Sequence, residues 1–144
     1  MFTPSQADVR KFFCSAYAKA TTNTAQEAIE IIANQWITEH PEYHDDLRDV
    51  DAALLKMYDV DDGKTNPFLH LSMHLSITEQ CSIDQPRGIR QAVELLTARR
   101  GDLHAAHHEV MDELGKMLWE SQRSGLPPDG PTYIDRVQQR ATRD

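Results

Sequence analysis

Apolar residues recur at three- and four-residue intervals along almost the whole chain, and nowhere do β-branched residues alternate with polar ones over a useful stretch. A period near 3.6 residues is buried by helices packing on one another, so the sequence predicts an all-α fold. The first case is a helix starting at Ser5, in which Val9, Phe12, Phe13, Ala16 and Tyr17 follow the i, i+3, i+4, i+7, i+8 stripe.

Local chemistry sets the other boundaries. In "TAQE", Thr24 reads as an N-cap with Glu27 three residues on, opening a second helix that buries Ile29, Ile32, Ala33, Trp36 and Ile37 until Pro41 stops it. Residues 41–65 are less regular: "DAALLKMY" suits a short helix and "DVDDGKTNP" a loop. Asn66 and Pro67 pair an N-cap with an N1 proline and open a third helix through about Cys81. A fourth, capped by Asp84, runs from near Pro86 to Arg100 and buries Ile89, Val93 and Leu96. Gly101 and Asp102 make a corner into the longest helix, which Gly125 ends, and "TYIDRVQQR" forms a short last one. The expectation is a single-domain helical bundle over residues 1–144, with about five main helices plus a short C-terminal helix.

A chain of 144 residues can bury one ordinary core. Its formal net charge of −8 argues against a nucleic-acid or anionic-membrane partner, since phosphates would meet repulsion from most faces. No apolar run approaches the ~20 residues that cross a bilayer. The N-terminus "MFTPSQADVRKFF" lacks the charged-then-apolar order of a signal peptide. Cys14 and Cys81 stand far apart without C-x-x-C spacing, which fits a reducing compartment and reads as two core thiols. A cytoplasmic protein is expected. Trp36 and Trp119 both project toward the core.

The 7 histidines are distributed unusually. "HPEYH" (His40, His44), "HLSMH" (His70, His74) and "HAAHH" (His104, His108) each place two imidazoles four residues apart, where chance predicts about 0.3 such pairs. Projected at 100° per residue, His74 falls about 40° and Cys81 about 20° from His70, among Phe68, Leu71, Leu75 and Ile77. His40 projects beside Ala33 and Trp36, and His107 lies amid Leu103, Val110, Leu114 and Leu118, with His104 and His108 at its edges.

A buried ring nitrogen left unpaired costs roughly 1–3 kcal/mol. Two imidazoles on one apolar face need several placed partners or one shared ion. Side chains at i and i+4 are about 5–6 Å apart at Cβ and can converge on a single metal. The expected ligands are His70 and His74 with His104 and His108, joined by His40, with His107 as the substitute for His108. His44, after Pro41, is expected at the surface. Imidazole donors without thiolate clusters suit a transition metal ion, Zn or Fe first. The alternative is a metal-free protein–protein interaction module whose core histidines hydrogen-bond within the fold.

Other motifs are excluded. "DVDDG" has its glycine one position early for a calcium loop and no closing glutamate. There is no Glu-x-x-His for a ferritin-like di-iron site, no HExxH, no Gly-x-Ser-x-Gly and no phosphate-binding glycine loop. Three imidazoles with an open position would make bound zinc water ionise near neutral pH, whereas four would close the site. Asp112, one turn after His108, is the candidate base or orienting carboxylate. Whether the chain is an enzyme is left open.

The order of His70, His74, His107 and Asp112 is similar to part of the hemerythrin pattern, and a three-histidine bundle site resembles DinB-like metalloenzymes. Residues 86–100 intervene here, and the earlier H-x-x-x-E is absent. Over nearly the whole chain, "NPFLHLSMHLSITEQ", "SIDQPRGIR" and "GDLHAAHHEVMDELGKMLWESQRSGLPPDG" resemble a family of small proteobacterial proteins, the domain of unknown function numbered eighteen-forty-one. That resemblance implies a stand-alone bacterial protein, lends no activity, and puts His70, His74, His104 and His108 inside the matching segments. In that family an acidic residue commonly stands at the position of His107.

Overall fold

A computed structural model describes residues 5–58 and 66–143. The described residues form eight α-helices and one 3-10 turn, with no strand, as the hydrophobic period requires. The "DVDDG" stretch read as a loop lies outside the described residues. Among the described residues no helix is long and apolar enough to cross a membrane.

The contacts gather into two compact units, residues 1–75 and 76–144. The first holds α1 (Gln6–Thr21), α2 (Ala28–Thr38), the 3-10 turn Pro41–Tyr43, α3 (His44–Leu47), α4 (Val50–Leu55) and the first half of α5 (Pro67–Ile83). Phe13, Trp36, Ile37, Leu47, Phe68 and Leu71 fill its core. Arg10 is buried among them and donates from Nη1 to the carbonyls of Ala53 at 2.7 Å and Lys56 at 2.6 Å, which stops α4 where its last carbonyls need donors. The second unit holds the rest of α5 with α6 (Ile89–Arg100), α7 (Leu103–Ser124) and α8 (Gly130–Thr142). Ile89, Leu96, Val110, Leu114, Tyr133 and Val137 are buried there.

Several boundaries differ from the sequence expectation. Asn66 caps α5 as foreseen, its Oδ1 accepting from the amides of Phe68 and Leu69 at 3.0 and 3.2 Å, and α1 starts one residue later than expected, at Gln6, with Ser5 as its cap. α2 begins after Glu27, not Thr24, because Glu30 Oε1 accepts from the Glu27 amide at 2.8 Å while the Thr24 amide is taken by the Lys19 carbonyl at 2.9 Å. α2 leaves Ile29 half exposed in its first turn and buries Glu30, which Lys19 neutralises at 2.9 Å. α6 starts at Ile89: Asp84 still caps, accepting from the amides of Gly88 and Arg90 at 3.1 Å, but the Gln85–Pro86 bond is cis and Gly88 is left-handed. α8 is 13 residues long rather than a short remnant. Trp119 is exposed beneath Arg123, 5.2 Å from its ring centroid, instead of buried, because it lies in the last turns of α7 beyond that helix's buried residues. Cys14 is buried, whereas Cys81 is only half-buried.

Candidate metal centre

Proline 41 builds the first part of the site. The residue before a proline is biased out of the helix, and His40 takes φ −127°, ψ 64° just after α2 ends. Its amide still bonds the Ile37 carbonyl at 3.0 Å, so the ring is held at the helix end. His40 and His44 therefore do not share a helical face. His44 is half-buried, its Nε2 donates to the Ile37 carbonyl at 3.0 Å, and its ring meets Tyr17 at 5.1 Å. The four-residue spacing of "HPEYH" carries no ligand pair, and His44 is a local cap, packed more deeply than a surface residue.

His40 turns instead to α5. Its Nε2 lies 3.0 Å from His74 Nε2, and both side chains are essentially inaccessible, at 3% and 0% exposure. His70, one turn earlier on α5 and half-buried, meets both: its ring centroid is 4.7 Å from that of His40 and 4.9 Å from that of His74. Each of the three offers a ring nitrogen, and those atoms lie within 4.8 Å of one another. Aromatic rings fix the outer faces. Trp36 stacks on His74 at 3.9 Å and 11°, and Tyr43 on His40 at 4.9 Å and 13°. Burial, with Glu42 and Asp46 nearby, pushes the Tyr43 phenol up to about 12, so it stays protonated.

A carboxylate that the sequence reading overlooked completes this half. Glu42 Oε1 stands 2.7 Å from His40 Nδ1. The signal was present as H-P-E, since the proline takes His40 out of the helical backbone and the second following residue then reaches its ring. Asp112, the carboxylate singled out in advance, is mostly exposed and lies 3.5 Å from Arg140.

The second unit carries the other histidines. On the first turns of α7, capped by Asp102, His104 is half-buried and His108 exposed, with ring centroids 4.3 Å apart and ring nitrogens within 4.8 Å. His107 points elsewhere. It is 2% exposed and lines a cavity of about 390 Å³ with Thr78, Cys81, Val93 and Leu103. Burial, then the neighbouring His104 and His108, lower it to about 3, so it is neutral at physiological pH. Burial likewise pushes the half-buried Cys81 thiol up to about 11, against activation as a nucleophile.

These features define an all-helical protein in which buried imidazoles are gathered, oriented and bracketed by aromatic rings. Residues 5–139 match the family described as Domain of unknown function (DUF1841), and the chain belongs to that family. Neither the curated proteins nor the solved structures contain a match to it.

Proposed function

We propose that the protein is a cytoplasmic bacterial metalloprotein in which His40, His70 and His74 bind a transition metal ion, Zn or Fe. The observation that carries this is the 3.0 Å separation of two inaccessible imidazole nitrogens, with a third imidazole against both. Two nitrogens on a tetrahedral zinc stand about 3.4 Å apart at Zn–N distances of ~2.0–2.1 Å. Admitting an ion thus asks for a widening of a few tenths of an ångström. The carboxylate on His40 is the outer partner that metal-bound histidines usually have. His104 and His108 are proposed as further ligands of that ion, on the strength of their i, i+4 spacing and their paired rings.

Elemental analysis of untagged protein, with Zn²⁺ and Fe²⁺ titrations of the metal-free form, tests the proposal. One metal per chain is expected, lost in His74→Ala and weakened in His104→Ala. Two metals per chain would overturn the shared role of His104 and His108. Failure to bind either ion, with a melting temperature that chelator leaves unchanged, would overturn the metal centre and favour the metal-free interaction module, for which the direct His40–His74 contact already supplies a pairing.

A further inference from the structure

We infer that Glu42 selects which nitrogen of His40 faces the ion, and that an imidazole-to-imidazole hydrogen bond holds the metal-free centre closed until the ion replaces it; this rests on the metal-centre reading above. His40 Nδ1 lies 2.7 Å from Glu42 Oε1. An ionised carboxylate only accepts, so Nδ1 carries the hydrogen, and in the neutral ring the lone pair is on Nε2. That lone pair faces His74 Nε2 at 3.0 Å. The hydrogen between the two rings must then belong to His74, which donates. In the metal-free protein His74 is the Nε2–H tautomer.

A metal ion takes lone pairs, so the two rings answer it differently. His40 is already poised and changes nothing. For the same Nε2 to become a ligand, His74 must give up its hydrogen there and carry one on Nδ1, an exchange that releases no net proton from the neutral ring. Glu42 is therefore a positioning residue. Without it the His40 ring is free to carry its hydrogen on Nε2, and two N–H groups would then compete for one space. Its side chain is 57% exposed, so the core does not depend on it. The Trp36 stack at 3.9 Å holds the plane of His74 while the hydrogen changes nitrogen.

The test is a calorimetric Zn²⁺ titration of wild type, Glu42→Ala, Glu42→Gln and the exposed-acid control Glu79→Ala, with long-range ¹H–¹⁵N spectra of the imidazoles before and after loading. Glu42→Ala is expected to bind about 10–100-fold more weakly. Glu42→Gln, whose amide oxygen still accepts, should recover part of that loss, and Glu79→Ala should match wild type. His40 should be Nδ1–H throughout, while His74 passes from Nε2–H to Nδ1–H on loading. Wild-type affinity in Glu42→Ala, or His40 found as Nε2–H in the metal-free protein, would overturn the inference. A wild type that binds no metal would instead overturn the metal centre, and the metal-free spectrum would still decide what Glu42 does.

Discussion

Replacing His40 and His74 by leucine, singly and together, measures whether the two rings interact in the metal-free protein. Leucine keeps most of the volume, so the cavity cost stays small and the lost polar contact dominates. Each single variant removes one partner of the 3.0 Å contact and leaves the other ring at a site less than 4% exposed, a loss of about 1–3 kcal/mol. The double variant removes both partners, and such replacements can be nearly neutral. The two singles together should therefore cost more than the double by about 2–6 kcal/mol, from the upper part of the range found for residues in direct contact to beyond it. Near this chain length that coupling is roughly 6–20 °C of melting temperature. Urea melts in chelator, followed by emission of Trp36 in a Trp119→Phe background, read the effect where it arises, because Trp36 stacks on His74. Adding metal at 100 times its Kd should then raise only the unsubstituted protein, by about 2.7 kcal/mol. Strict additivity of the two leucine substitutions in chelator would refute the hydrogen bond between the rings.

Three further outcomes follow from the second unit. Glu113 is 6% exposed, and although burial alone would raise its carboxyl, Arg140, donating from Nε at 2.8 Å, and Lys116 hold it below the usual range. A carboxyl lowered in the native state adds stability above its unfolded pKa and loses it as pH falls. Arg140→Met should thus cost about 2–3 kcal/mol at pH 7 and progressively less as the pH falls and Glu113 takes up its proton, read by urea melts over an acid pH series. Gly88 sits at φ +100°, and a Cβ there would come 2.7 Å from Gln138 Nε2. Gly88→Ala should lower stability by about 1–2 kcal/mol from backbone strain and further from the clash with Gln138, and in thermal melts Gln138→Ala should relieve only the second part. With its thiol raised to about 11, Cys81 should alkylate slowly at pH 8, in a Cys14→Ala background, and accelerate only toward pH 11.

Much of the fold was legible because it depends on local rules. Asn66–Pro67 opens α5, Gly101 and Gly125 end α6 and α7 at φ 77° and 74°, and Val93, Leu96 and Val110 are buried as their period required. The errors came where two local rules competed. Thr24 had the residue type of an N-cap and a glutamate three residues on, but its amide went to the Lys19 carbonyl, and Glu30, tied both to the Glu27 amide and to Lys19, set the helix start instead. Ile29, in the first turn of α2, is exposed although its spacing matches the buried stripe.

The site divides along the same line. Spacing on a continuous helix located His70 with His74, because α5 imposes the angle between them, and the same reasoning placed His104 with His108 on α7. It turned His40 inward beside Ala33 and Trp36 but could not foresee its contact with His74, because the backbone leaves the helix before Pro41, and it gave His44 a surface role where a carbonyl waits for its Nε2. Glu42 escaped notice for a related reason. In a helix a residue two positions on points away from its neighbour, but His40 has left the helix, at φ −127° and ψ 64°, and Glu42 reaches its Nδ1. The proline that makes "HPEYH" fail as a helical pair is thus the residue that delivers one imidazole to α5 and hands it a carboxylate, so Pro41→Ala, by letting α2 continue, should separate His40 from both Glu42 and His74.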